Sequence, residues 1–161
     1  MAVARGAAGE EGAPYVDNMQ RLLRKFETAK DLVPRPLIAN ADKPTKYGVI
    51  YYGSTSAAMG EALEALEAEG IHLDALRIRA FPFRDDVLDF VQRHDRVFVV
   101  EQNRDAQLRT LLVNECGLDP ARLLPVLHYD GTPITARFIR AAIADRVSAL
   151  TVVPLRVGAA E

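Results

Sequence analysis

The stretch from Arg96 to Leu112, RVFVVEQNRDAQLRTLL, leaves few folds open. It begins as an apolar run, Val97-Phe98-Val99-Val100, and turns abruptly polar at Glu101-Gln102-Asn103-Arg104-Asp105. It then resumes with Leu108, Leu111 and Leu112 at helical spacing. A strand covered on both faces reads as a short unbroken apolar run, and parallel sheets sandwiched between helices contain such strands. The polar turn therefore falls at the C-terminal end of a buried strand. Open α/β sheets place ligands and functional contacts at that edge.

The rest of the chain repeats this strand-then-helix rhythm. Tyr47–Tyr52 reads as a strand, and Gly53-Ser54-Thr55-Ser56 as a turn into a helix over Ala57–Glu69 that Gly70 stops. Leu73–Phe81 is the next strand, with Arg77 and Arg79 alternating against Leu76, Ile78 and Ala80. A helix follows over Asp85–His94, its acidic first turn suited to the helix dipole. The opening strand and a helix over Asp105–Cys116 come next, then a strand at Leu123–Leu127 and a helix capped by Thr135. Upstream, Tyr15–Leu32 carries Val16, Met19, Leu22, Leu23 and Phe26 on one stripe. The Pro-rich segment between them has room for a short edge strand at Leu37–Ala39. Repeated strand–helix units predict an α/β fold with a mostly parallel sheet and helices on both faces, joined by right-handed crossovers.

With 161 residues, the chain has length for one domain with a sizeable core. A net charge of −2 gives no electrostatic case for nucleic acid or an anionic membrane surface as a partner. No apolar run approaches about 18 residues, so the sequence offers no membrane-spanning helix. The single Cys116 excludes an intrachain disulfide, and the N-terminus lacks the apolar core of an export signal. Both suit a cytoplasmic protein.

Two turns carry candidate site residues. Ser54 and Thr55 lie where a strand opens into a helix, so they are either ordinary caps or part of an anion cradle. No Lys follows them and no G-x-G-x-x-G is present, so neither a Walker A loop nor a dinucleotide fingerprint is there. Glu101, Gln102 and Asn103 follow the central strand, with Gln107 close behind. They form either a solvated loop with Asn103 or Asp105 capping the next helix, or a polar cluster at an interface or site mouth. His72, His94 and His128 lack metal-ligand spacing and read as structural or solvent-facing. Cys116 reads as a buried, inert thiol on the stripe of Leu108 and Leu112. No catalytic, cofactor-binding or metal-ligating residue is assigned.

Three passages together resemble one family: YGVIYYGSTSAAMGEALEAL (Tyr47–Leu66), LRIRAFPFRDDVLDFVQRHDRVFVVEQNRDAQ (Leu76–Gln107) and YDGTPITARFIRAAI (Tyr129–Ile143). The family is the alpha subunit of 2-oxoacid:ferredoxin oxidoreductases of the 2-oxoglutarate type. The resemblance is to its C-terminal part, a domain similar to the C-terminal domain of transketolases. The VVEQN and YDG-PITA passages are the most specific. RGAAGEEGAPYVDNMQRLLRKFETA resembles the stretch leading out of the preceding domain.

The resemblance implies a three-layer α/β/α sandwich with five strands in the order 1-3-2-4-5 and one antiparallel edge strand, placed at Leu37–Ala39. It also implies a division of the chain: residues 1–46 as helix and linker from a preceding domain absent here, 47–147 as the domain, and 148–161 as a tail. For the full complex it implies thiamine diphosphate, magnesium and an iron–sulfur cluster. The implied reaction oxidatively decarboxylates a 2-oxoacid such as 2-oxoglutarate to an acyl-CoA and reduces ferredoxin. The implied partners are the rest of the alpha subunit and a beta subunit, with CoA and ferredoxin acting on the complex. This chain would hold no cofactor and serve packing and assembly, with a homo-oligomer as a further use of the Tyr15–Leu32 stripe. The competing reading is a stand-alone small-ligand-binding or regulatory α/β module.

Overall fold

The computed structural model describes residues 12–152. A long helix α1 (Gly12–Leu32) leads into a short strand β1 (Leu37–Ala39). The units β2 (Tyr47–Tyr52)–α2 (Ser56–Ala68), β3 (Asp74–Ile78)–α3 (Asp85–Gln92), β4 (Arg96–Glu101)–α4 (Gln107–Cys116) and β5 (Leu123–Leu127)–α5 (Ala136–Val152) follow. The five strands form one sheet in the order β1-β3-β2-β4-β5. Only β1 runs antiparallel, against β3; the other pairings are parallel. The expected sandwich, its strand order and its antiparallel edge at Leu37–Ala39 are all present.

The run Val97–Val100 lies inside the sheet between β2 and β5, and all four side chains are fully buried. Side chains alternate across a strand. Phe98 and Val100 therefore meet α2 and α5, in a core with Val49, Leu66, Ile139 and Ile143. Val97 and Val99 meet α3 and α4, in a second core with Ile50, Leu76, Phe90 and Leu112. Burial on both faces is what an unbroken apolar run requires. It also explains why β4 carries no polar residue between Val97 and Val100.

Gly48, in the middle strand β2, allows a close approach. A Cβ there would lie 2.8 Å from Phe90 Cε1 and 3.1 Å from His94 Nδ1. His94 is itself buried, with Nδ1 at 2.6 Å from the Phe90 carbonyl oxygen and Nε2 at 3.1 Å from Asp74 Oδ2. Asp74 also accepts from the Ala41 backbone N–H at 2.9 Å. This histidine joins the end of α3, the start of β3 and the linker after β1.

Several elements depart from the sequence boundaries, and β3, α4 and α5 do so for local reasons. β3 stops at Ile78, opposite the last residue of β2, and the chain beyond has no neighbour to pair with. α4 begins at Gln107 because Ala106 is left-handed, with φ of 50°, and Asn103 Oδ1 accepts from the backbone N–H groups of Asp105 and Gln107. α5 starts under the Thr135 cap, whose hydroxyl accepts from Phe138 N at 3.2 Å, and continues past Val147 to Val152.

α1 is helical as its periodicity requires, but it buries none of its residues. Its stripe stays open to solvent, with Tyr15 64% and Leu23 57% exposed. Only the C-terminal end reaches the body of the domain. There Arg84 donates to the Lys30 carbonyl at 2.6 Å, and the Phe26 and Phe81 rings meet edge-on at 6.2 Å. The stripe does not pack on the chain's own sheet layers. No helix among the described residues is long and apolar enough to cross a membrane.

Candidate functional site

The chain leaves β2 toward β3 on one side and returns to β4 on the other, so the strand order reverses between β2 and β4. Such a reversal opens a crevice beyond the strand C-termini. Gly53-Ser54-Thr55 follows β2 there, and Gln102-Asn103 follows β4. The structure thus brings both candidate turns to one place.

Alternation along β4 then divides the polar residues. Glu101 shares the face of Val97 and Val99, so it points toward α4. Its carboxylate is fully buried and accepts from Leu108 N at 2.7 Å and Arg109 N at 3.0 Å. Those N–H groups belong to the first turn of α4, which has no intrahelical acceptor for them. Asn103 Nδ2 donates a third bond to Glu101 Oε2 at 2.8 Å. Glu101 is thus an N-terminal cap supplied from the preceding strand, where an anion also meets the positive end of the helix dipole.

Gln102 points the other way. Its Nε2 donates to Ser54 Oγ at 2.9 Å and Thr55 Oγ1 at 3.2 Å, and its Oε1 accepts from Ile134 N at 3.4 Å. One amide thereby ties the turn after β2 to the segment before α5. The sequence places Gln102 in the polar cluster after β4 but does not give its partners. Its direction was available: next to a buried Glu101, period-two alternation sends Gln102 across the sheet toward Ser54. Of the other candidates, Thr55 is buried and Ser54 exposed. Gln107 is exposed too, and its side chain hydrogen-bonds nothing among the described residues.

Replacing Gln102 with alanine removes bonds that are only partly buried. We expect a loss of about 1 kcal/mol in thermal unfolding. A change equal to that of Glu101→Ala would mean the two polar sets are one unit.

The remaining reactive groups are subdued. Burial pushes the Cys116 thiol up, against the opposing pull of Lys30, so it is a poor nucleophile at neutral pH. Burial also raises the Tyr51 hydroxyl. The Asp130 carboxyl is held below its usual range by hydrogen bonds from the Thr132 backbone and hydroxyl, in an exposed turn. His128 packs edge-on against Phe138 at 4.8 Å, with Asp130 at 3.5 Å.

The magnesium ion and iron–sulfur cluster implied by the family resemblance find no matching donor set among the described residues. Among the described residues no three His, Cys, Asp or Glu side chains come together to hold a metal ion. The single cysteine of the chain cannot supply the four thiolates of an iron–sulfur cluster.

Comparison with known proteins gives the chain its relatives. No family model matches it. It is 25% identical over 124 residues to subunit alpha of 2-oxoacid:ferredoxin oxidoreductase 2 from Aeropyrum pernix, covering 74% of this chain and 19% of that protein. Its fold matches 2-oxoglutarate:ferredoxin oxidoreductase from Magnetococcus marinus, solved with 2-oxoglutarate, coenzyme A and succinyl-CoA bound. That match has a TM-score of 0.75 at 22% identity, over 88% of this chain and 25% of the other. A split-gene transketolase, in an inactive beta4 tetramer, matches with a TM-score of 0.57 at 18% identity, over 71% and 41%. The chain spans about a fifth of the length of the curated relatives it matches. In sequence and in fold, this chain is similar to one part of the alpha subunit of 2-oxoacid:ferredoxin oxidoreductases, with the architecture shared by transketolases.

Proposed function

We propose that the chain is an assembly domain of the alpha subunit of a thiamine-diphosphate-dependent 2-oxoacid:ferredoxin oxidoreductase, and that it performs no chemical step itself. The observation that carries this reading is the use of the polar groups at the strand C-termini. Glu101 and Gln102 spend their hydrogen bonds on the backbone and hydroxyls of their own domain. No acid, base or nucleophile is left poised there for a substrate. Of the candidate residues, Ser54 and Gln107 are exposed and offer side chains for subunit contact, while buried Thr55 and Glu101, with Asn103, hold that edge rigid from within.

In this reading residues 1–46 lead in from a preceding domain, 47–147 are the domain proper and 148–161 the tail. The exposed stripe of α1 packs against the remainder of the alpha subunit. The whole complex, in the cytoplasm, oxidatively decarboxylates a 2-oxoacid such as 2-oxoglutarate to an acyl-CoA and reduces ferredoxin. Thiamine diphosphate, magnesium and the iron–sulfur cluster reside outside this chain.

Co-expression of the chain with the complementary part of an alpha subunit and a beta subunit tests this. The three should co-purify, and 2-oxoacid-dependent ferredoxin reduction should need all of them. Turnover by the chain alone, or its failure to join the complex, overturns the proposal.

A further inference from the structure

We propose that the hollow beside α4, at the C-terminal ends of β2 and β3, binds a small monocarboxylate with an aromatic or aliphatic body. The hollow has a volume of about 480 Å³, within the roughly 300–1,000 Å³ range of small-molecule sites. Its floor is the buried trio Ile78, Phe83 and Leu108, and its walls include Tyr52, Phe81 and Leu111, each more than a third exposed. The Phe81 and Phe83 rings stand at 90° with centroids 5.3 Å apart, a geometry that fixes both. Exposed aromatic and aliphatic surface of this kind gains most from covering an apolar ligand body.

The charge of the hollow selects the head group. Arg79 lines it, is exposed, and makes no hydrogen bond or ion pair among the described residues. No Asp or Glu lines it. Gln107 adds a second side chain with no hydrogen-bond partner among those residues. One guanidinium matches one carboxylate, which it can bind through two parallel N–H bonds. A dianion would bring a second charge without a partner, and a neutral ligand would leave the cation to water.

The comparable hollow under α1, about 470 Å³, offers no such preference. It is lined by Lys30 and Arg84 together with Glu27 and Asp85, and its cations already face carboxylates at Glu27 and Asp86. Gln107 is shared with the subunit edge proposed above, but Arg79 and Leu111, the residues tested below, take no part in the Glu101 or Gln102 contacts.

Titration calorimetry on the full chain tests it with 4-phenylbutyrate and its neutral counterpart 4-phenylbutanamide. The acid should bind saturably, one per chain, and the amide about tenfold more weakly or worse. Arg79→Met should cost the acid about tenfold in affinity while leaving the amide unchanged, and Leu111→Glu should abolish acid binding. Both positions are exposed, so neither change disturbs the core; circular dichroism checks this. Leu23→Ser, on α1, should bind as the parent does. Equal affinity for acid and amide, no saturation in the millimolar range, or indifference to Arg79→Met overturns the proposal. Loss of binding in Leu23→Ser does so too, because it would move the site to α1. Assembly of the complex is not read by any arm of this experiment.

Discussion

Replacing Glu101 with alanine lowers stability by about 3 kcal/mol, because it strips the first turn of α4 of its acceptor. Leu108 N and Arg109 N lose bonds of 2.7 and 3.0 Å, and Asn103 Nδ2 loses its acceptor as well. A buried donor left without an acceptor costs about 1–3 kcal/mol, and bonds to a charged group stand at the upper end of the scale. Glu101→Gln separates charge from geometry. Its amide oxygen can serve one N–H, but its NH2 faces the other donor, so about half of the loss should return. Urea unfolding of the three proteins measures this, with α4 amide exchange locating the damage. A loss under about 0.5 kcal/mol in Glu101→Ala would show that water replaces the carboxylate, and the cap would not be structural. Collapse of turnover in an assembled enzyme with stability unchanged would instead place Glu101 in the chemistry.

Gly48→Ala should cost about 1–3 kcal/mol through overpacking. The new methyl meets Phe90 Cε1 at 2.8 Å, Cζ at 3.0 Å and His94 Nδ1 at 3.1 Å. Neither ring has room to withdraw, since both are buried, and His94 is bound at Phe90 O and Asp74. The strain must pass into the spacing between β2 and α3. The diagnostic is a double-mutant cycle with Phe90→Leu. Leucine lacks the ring edge that the methyl strikes, so the combined loss should fall short of the sum by about 1 kcal/mol or more. Strict additivity would show that Gly48 matters for its backbone alone.

The sequence made much of this legible for one physical reason: periodicity reports burial. Four apolar residues in a row at Val97–Val100 require two covered faces, and the strand between β2 and β5 has them. The antiparallel edge at Leu37–Ala39 and the full strand order came through family resemblance, because pairing partners leave no mark on single strands. The polar turn after β4 was found, but not what it touches. Whether Glu101 faces a partner subunit or the next helix depends on where the α4 N-terminus sits, and that is a tertiary fact. The partners of Gln102, at Ser54, Thr55 and Ile134, are hidden for the same reason. Gly48 in the strand YGVIYY was a visible irregularity, yet its cause, the Phe90–His94 pair, lies more than forty positions away. For α1, the periodicity gives the helix and its apolar stripe, but a pattern does not say what, if anything, covers that stripe.

The one-ended attachment of α1 has a mechanical side. Its 21 residues make a rod of about 31 Å, held to the domain only near Lys30 and Phe26. A tilt of about 20° at that joint would swing Tyr15, about 22 Å along the helix from Lys30, through about 8 Å while the sheet stays still. Small adjustments around Arg84 are therefore magnified at the far end. The helix acts as a lever whose angle is set by whatever grips its apolar side, so contact there would be felt at the Phe26–Phe81 ring contact.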